Sequence, residues 1–132
     1  MAQKKKRGPD IGERAELVVV EIIDELIGEK KLFKHKVVVI DYVHAKKSCR
    51  YDQAGIDILI IFNTGLSLPL QIKKSLSRGY CRHLVKHPSI IWIFGVGSLP
   101  RNTEDSKNYN RIRRNLEVLI NKALAHHTKN GD

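Results

Sequence analysis

Two short apolar runs, Ile56–Phe62 and Ser89–Val96, constrain the fold of this chain more than any other feature. Both have the length of a strand. Both are far shorter than the ~18 apolar residues of a membrane span, so no membrane partner is expected from them. Because nearly every residue in the runs is apolar, we expect strands that are buried on both faces of a sheet.

A hairpin is predicted directly after the first run. Asn63-Thr64-Gly65 has the length and composition of a tight turn. Leu66–Lys74 then alternates between apolar and polar residues, which is typical of a strand with one buried face. A three-residue loop makes Phe62 face Leu66, and this pairing fixes the register of the whole hairpin.

Helices are predicted on either side of these strands. An amphipathic helix is expected over Asp10–Ile27, ended by Gly28, and a longer one over Thr103–His126. Lys36–Val43 is predicted to be the first strand, and a basic helix is expected over 76–87, before the last strand. This order predicts an α/β fold, a mixed four-stranded sheet flanked by helices.

Composition supports one intracellular domain. A chain of 132 residues with 42% hydrophobic and 29% charged residues is typical of a single globular domain. We assign residues 10–132 to this domain and residues 1–9 to a flexible basic arm. Gly8-Pro9-Asp10 stands where a signal peptide would place its apolar core, and Cys49 and Cys81 form no zinc pattern. A reduced, cytoplasmic chain is therefore expected.

The charge favours a polyanionic partner. The net charge is +10, and the excess lies in the arm and in residues 76–132, whereas residues 10–75 carry equal numbers of acids and bases. Nucleic acid is the first expectation and an anionic membrane surface the second, and a basic surface that serves solubility alone is the alternative. The candidate phosphate contacts are Lys4, Lys5, Lys6, Arg7, Arg78, Arg82, Lys86, Arg111 and Arg114.

One acid interrupts the first apolar run. Burying Asp57 is costly unless it is paired, exposed or bound to a metal ion. The hairpin register places it opposite Gln71, with Cβ atoms roughly 5 Å apart, and Lys73 is the diagonal neighbour. A carboxylate, an amide oxygen and an ammonium directed at one point suit a divalent metal ion and a phosphate. A plain salt bridge between Asp57 and Lys73 is the structural alternative.

At these residues the chain resembles the PD-(D/E)xK nuclease superfamily, in the variant with Gln in place of the usual acid. Gly55-Ile56-Asp57 enters one apolar strand, and Gln71-Ile72-Lys73 lies on the next. The start of the chain, a basic arm followed by Gly12–Glu16, is similar to the archaeal-type Holliday-junction resolvases of that superfamily. The resemblance covers most of residues 10–126 and implies a restriction-endonuclease-like αβββαβα core.

The resemblance also implies a site that hydrolyses phosphodiester bonds with Mg²⁺ or Mn²⁺. Asp57 would be the main metal ligand, Gln71 a second through its amide oxygen, and the backbone carbonyl of Ile72 a third. Lys73 would orient or activate the attacking water and stabilise the developing charge. A first-helix glutamate would help to bind the metal or the water, and Glu16 is our choice because its helical stripe should face the sheet.

The expected function is therefore a metal-dependent DNA endonuclease, which acts on branched DNA as a homodimer or on repair or restriction substrates. Because Gln71 is neutral, the site has one negative charge fewer than the usual pattern, and Glu16 or Asp52 would have to compensate. Two alternatives stay open. One is a catalytically silent nucleic-acid-binding module with the same fold, and the other is a protein-interaction subunit whose basic surface meets an acidic partner.

Overall fold

A computed structural model describes residues 11–45, 55–74, 82–86, 89–101 and 105–129, with side chains described except at 11–12, 82–90 and 127–129. In chain order the elements are α1 (Ile11–Glu29), a short 3-10 turn (Lys34–Lys36), β1 (Val39–His44), β2 (Ile58–Phe62), β3 (Ser67–Lys73), β4 (Arg82–Lys86), β5 (Ser89–Gly95) and α2 (Ser106–Lys129). The predicted arm, residues 1–9, lies outside the described residues.

The strands form one mixed sheet in the order β1-β2-β3-β5-β4. β1, β2 and β3 are an antiparallel meander, β3 and β5 run parallel, and β4 pairs antiparallel with β5. The α/β class and the mixed sheet are therefore confirmed. The four predicted strands are β1, β2, β3 and β5, and β4 adds a fifth strand at the edge.

The prediction of a basic helix over 76–87 is wrong where the structure describes this segment. Arg82–Lys86 is a strand that forms a hairpin with β5, with Leu84 opposite Ile91. Without a neighbouring strand, the outer edge of β5 would leave its backbone N–H and C=O groups unpaired. A strand such as β4 can pair with these groups, whereas a helix cannot. Residues 75–81 and 87–88 lie outside the described part of the chain.

The register of the β2–β3 hairpin is as predicted. Ile58 lies opposite Leu70, and the pairing continues residue by residue toward the turn. There the N–H of Phe62 donates to the carbonyl of Leu66 at 2.9 Å. Gly65 has φ +92°, a conformation that an L side chain rarely adopts, so this turn position needs glycine.

Both described helices pack on one face of the sheet. α1 contacts β1 and β3, α2 contacts β5, and the helices contact each other. The sheet residues beneath them are fully buried at four central positions: Ile58, Ile60, Leu68 and Leu70. On the opposite face Leu59 and Ile61 are only partly buried, so the expectation that β2 is covered on both faces is wrong. In β5 the expectation is confirmed, because residues 91–96 are all buried.

The end of α1 differs from the predicted one. The helix continues through Gly28 to Glu29, and Lys30 takes the left-handed conformation with φ 54°. The N–H of Lys30 donates to the carbonyl of Ile27, and the next N–H to that of Leu26, both at 3.2 Å. This is a Schellman ending, which usually has glycine at the left-handed position.

α2 has the apolar stripe that its sequence predicts, and each of the following residues is at most 1% exposed: Ile112, Leu116, Leu119, Ile120 and Ala123. Asp105 precedes the helix and accepts hydrogen bonds from the N–H groups of Arg101 and Asn108. These hydrogen bonds lower the pKa of Asp105, and the bond from the N–H of Arg101 has the largest effect. Neither α1 nor the described length of α2 has a stretch long and apolar enough to cross a membrane.

A network of charged side chains joins the two helices. The guanidinium of Arg113 on α2 donates to Glu25 at 2.9 Å and to Glu29 at 2.6 Å, both on α1. Its Nε also donates to Glu117 at 2.8 Å, one turn along its own helix. The hydrogen bond between Arg113 and Glu29 raises the pKa of the arginine and lowers that of the glutamate. Below we call these four residues the helix seam.

Candidate active site

Asp57 lies one residue before β2, where the backbones of β1, β2 and β3 meet. Its N–H donates to the carbonyl of Leu70 at 2.8 Å, and its carbonyl accepts from the N–H of Ala45 at 2.9 Å. Its carboxylate oxygen Oδ2 accepts from the backbone N–H of Ile72 at 2.6 Å. The side chain of Asp57 therefore takes a place in the hydrogen-bond ladder that a strand carbonyl would otherwise occupy.

This bond places the Asp57 carboxylate beside the segment of β3 that the sequence singles out. Ile72 stands between Gln71 and Lys73, and β3 alternates as predicted, with Ile72 buried, Gln71 partly buried and Lys73 exposed. The ladder pairing of β2 and β3 ends with Ile58, one residue after Asp57. The aspartate thus reaches β3 through the Ile72 amide and not as a ladder partner of Gln71.

Glu16 lies in the first half of α1 and faces the sheet, as its stripe predicts. Its Oε1 is 2.9 Å from Nε2 of His44, the last residue of β1. Both side chains are partly buried, 25% exposed for Glu16 and 31% for His44. The β1–β2 register sets His44 opposite Ile58. The Glu16–His44 pair therefore lies at the same end of the sheet as Asp57.

Sequence reasoning missed His44. The first strand is predicted to end at Val43, and the residues beside His44, Val43 and Ala45, give no sign of a contact with α1. The available signal was strand parity, because a residue opposite Ile58 must share the helix-facing side of the sheet with it. That signal requires the β1–β2 register, which a bulge between Val39 and Asp41 shifts.

The end of β3 is hydrogen-bonded to the segment that follows β5. The N–H of Val96 donates to the carbonyl of Lys73 at 2.9 Å. Arg111 of α2 donates to the carbonyls of Val96 at 3.1 Å and Ser98 at 2.6 Å. Gly97 between them has φ +78°, and a Cβ there would lie 3.0 Å from Nη1 of Arg111. Glycine therefore lets the arginine approach the backbone that holds the end of β3.

The predicted phosphate contacts are placed unevenly. Residues 4–7 and Arg78 lie outside the described residues, and Arg82 and Lys86 belong to β4 without a description of their side chains. Arg111 donates to backbone carbonyls, and Arg114 is exposed on α2. Asp52, the acid expected to compensate for the neutral Gln71, also lies outside the described residues. Arg111 and Arg113 of α2 thus both have partners within the fold.

The donors that the sequence assigns to a cation are all oxygens: the carboxylates of Asp57 and Glu16, the amide oxygen of Gln71 and the carbonyl of Ile72. Oxygen donors are those that Mg²⁺ prefers. Within the described ranges, no group of three or more His, Cys, Asp and Glu side chains is arranged to hold a metal ion. Among the described residues, a cation at this site would therefore rely on at most the two carboxylates of Asp57 and Glu16 together with neutral oxygens of β3.

A cleft of about 420 Å³ lies elsewhere, between α1 and the start of α2. Glu21, Glu25 and Asp105 line it, together with Tyr109. Burial raises the pKa of the Tyr109 hydroxyl, and Glu25 beside it raises this pKa further. Three carboxylates would repel a phosphate, and none of the predicted site residues lines the cleft, so we place the candidate site at Asp57.

Comparison with known proteins identifies no relative of this chain: no protein-family model, no curated protein and no solved structure matches it. The resemblance to the PD-(D/E)xK nucleases rests on the residues at the ends of β2 and β3. The described elements have the strand β4 where the αβββαβα order implied by the resemblance places part of its middle helix.

Proposed function

We propose that this protein is a metal-dependent DNA endonuclease with a restriction-endonuclease-like core. The observation that carries the proposal is the 2.6 Å bond between the Asp57 carboxylate and the N–H of Ile72. It fixes a carboxylate beside a strand segment that offers an amide oxygen on Gln71 and an ammonium on Lys73. A cation and the phosphate that it binds need this combination of oxygen donors and positive charge.

The oxygens of Asp57, Gln71 and the Ile72 carbonyl would hold the divalent ion, Mg²⁺ or Mn²⁺. The bound ion supplies Lewis-acid polarisation of the phosphate. The ammonium of Lys73 would stabilise the charge that develops on the phosphate oxygens and orient the water for in-line attack. Glu16, held by His44, would bind water or the ion from the α1 side of the site.

The charge of the chain supports nucleic acid as the substrate class. The sequence has 24 Lys and Arg against 14 Asp and Glu, and an excess of this kind attracts phosphate backbones and raises association rates. Branched DNA and a homodimer are part of the proposal, because two symmetric cuts need two sites. They rest on the similarity of the N-terminal segment to the resolvases.

A silent nucleic-acid-binding module is the second candidate, and Gln71 is the observation that favours it. A neutral amide in place of an acid weakens the affinity for a cation. The described residues also offer no cluster of three acids or histidines to compensate. This candidate predicts salt-sensitive binding of nucleic acid without metal-dependent cleavage.

The test is cleavage of end-labelled single-stranded, duplex and four-way-junction DNA with Mg²⁺, Mn²⁺ or EDTA. Lys73→Ala is the test variant, and Lys74→Ala is its matched control, since both residues are exposed neighbours of equal charge. We expect metal-dependent cleavage that Lys73→Ala reduces at least about 100-fold and Lys74→Ala leaves near the parental rate.

Equal cleavage by the two lysine variants would contradict the assignment of the site. Binding of every substrate without cleavage of any would support the silent module. Failure to bind nucleic acid at low salt would leave the protein-interaction subunit, with an acidic partner protein, as the remaining function.

A further inference from the structure

The connection between α1 and β1 presents a basic surface that the candidate site does not use. Four lysines and one histidine occur within residues 30–36 and no acid does. All five of these side chains are exposed: Lys30, Lys31, Lys34, His35 and Lys36. We call them the basic turn. It holds four of the ten Lys and Arg residues in residues 10–75, a stretch that is neutral as a whole.

Ion pairs leave most of this charge available. Lys31 faces Glu117 at 3.9 Å. Lys30, Lys34 and Lys36 have no carboxylate within 4.0 Å in the described part of the chain. The nearest acid in sequence, Glu29, is bound to Arg113 in the helix seam. Exposed, unpaired lysines of this kind are the groups that neutralise nucleic-acid phosphates.

The basic turn is held in one conformation by buried neighbours. Phe33 and Val37 are 6% and 4% exposed, and the N–H of Phe33 donates to the carbonyl of Val37 at 2.8 Å. The N–H of Lys36 donates back to Phe33 at 3.0 Å. From α2, Asn121 accepts the N–H of Lys34 at 2.9 Å. A cationic surface fixed in this way loses little conformational entropy on binding a ligand.

The backbone of the basic turn has positive φ angles at positions where glycine or asparagine would be favoured. Lys30, His35 and Lys36 have φ of 54°, 62° and 61°, where side chains other than Gly and Asn are rare. Each such residue costs about 1–2 kcal/mol. Glycine would remove this strain at all three positions, and the chain has cationic or titratable side chains instead. Local rules broken at one place are typical of a functional surface.

β1 connects the basic turn to the candidate site. The strand has six residues, Val39–His44, and at about 3.3 Å per residue it spans roughly 17 Å. Successive phosphates along one DNA strand rise by about 3.4 Å per nucleotide, so this distance corresponds to roughly five nucleotides.

We propose that the basic turn binds the phosphate backbone of the nucleic acid about five nucleotides from the bond that the candidate site cuts. The proposal rests on the proposed function, because it takes the same nucleic acid as the ligand. It adds a contact surface at the opposite end of β1, formed by Lys30, Lys34 and Lys36.

The test compares two double variants that each remove two exposed cations. The turn variant is Lys34→Gln/Lys36→Gly, and the control is Arg101→Gln/Lys107→Gln on the segment that enters α2. We would measure the Kd for a labelled duplex in EDTA between 50 and 200 mM salt. Loss of two phosphate contacts lowers the slope of log K against log salt by about 1.8, and we expect this in the turn variant only.

The melting temperature gives an independent readout. Glycine at position 36 relieves backbone strain, so the turn variant should melt about 2–4 °C above the parent although it binds more weakly. Higher stability together with weaker binding separates loss of a contact from loss of structure.

Two outcomes would overturn the proposal. One is a turn variant that binds like the parent, and the other is an equal loss in both double variants, which would show that only the net charge matters. A parent protein that fails to bind DNA at 50 mM salt would instead overturn the proposed function, so the two failures are distinct.

Discussion

The helix seam and the candidate active site use positive charge in opposite ways. In the seam, Arg113 donates to Glu25, Glu29 and Glu117, and its side chain is only 19% exposed. At the candidate site, Lys73 is exposed and forms no ion pair within the described part of the chain. The Asp57 carboxylate of the same site accepts a hydrogen bond from the backbone N–H of Ile72.

The difference separates charge that supports the fold from charge that is available to a ligand. A cation shared by three carboxylates holds two helices together, and its removal leaves like charges facing one another. An exposed lysine contributes little to stability, so its loss should affect binding or chemistry alone. Substitutions in the two regions should therefore have different consequences for cleavage and for stability.

Asp57→Asn should abolish cleavage and leave the fold nearly unchanged. The Asn side-chain oxygen can still accept the N–H of Ile72, so we expect a stability change below about 1 kcal/mol. Loss of the charged metal ligand should lower the cleavage rate at least about 100–1,000-fold. Single-turnover cleavage and a thermal melt would be measured on the same sample. Parental cleavage by this variant would remove Asp57 from the site.

Arg113→Met should lower the stability of the fold, in contrast to Asp57→Asn, which should lower the cleavage rate. Methionine keeps much of the apolar stem but leaves three carboxylates facing one another, so we expect a loss of about 2 kcal/mol. Arg114→Met, at the exposed neighbour, is the control and should change stability by less than about 0.5 kcal/mol. Urea denaturation measures both. Equal stabilities for the two variants would show that the seam does not hold the helices.

Gly97→Ala tests the link between α2 and the end of β3. The added Cβ would meet Nη1 of Arg111 at 3.0 Å, on a backbone with φ +78°. We expect a destabilisation of about 1–2 kcal/mol. Since Val96 next to it donates to the carbonyl of Lys73, cleavage should also fall. Gly28→Ala, where a Cβ meets nothing within 4 Å, is the control and should not destabilise α1.

The smallest effect concerns acid pH. The hydrogen bond from Arg113 lowers the pKa of Glu29 below its usual 4.5. A lowered pKa in the folded state means that the stabilisation is complete above about pH 4.5 and is lost as the pH falls through the lower folded value. The parent should therefore lose stability more steeply below pH 4.5 than Arg113→Met does. Parallel melting curves for the two proteins over this range would contradict the pairing.

Much of the fold could be predicted from local patterns. The β2–β3 register follows from alternation in β3 and a three-residue turn, and four of its pairs are as predicted. The stripe of α2 is a simple helical period, and its residues are buried. Both patterns are local, so the sequence expresses them without knowledge of the neighbours.

The errors occur where a distant partner decides. Taken by itself, the basic segment that contains Arg82–Lys86 is predicted to be a helix. Its described part is a strand because it pairs with the edge of β5. Leu59 and Ile61 look like core residues, yet both described helices pack on the other face of the sheet. Gly28 is predicted to end α1, whereas the Schellman bonds place the left-handed residue two positions later, at Lys30.

The candidate site divides in the same way. From the sequence, strand periodicity and turn length determine the β2–β3 register as far as Ile58 and the alternation of Gln71 and Lys73 on β3, because both are local properties. The predicted pairing of Asp57 with Gln71 does not follow from them, since the ladder ends at Ile58. Tertiary structure alone decided that the Asp57 carboxylate bonds to the Ile72 amide and that Glu16 meets His44. These contacts depend on how α1 packs on the sheet and how β1 pairs within it, and no periodicity within one segment contains that information.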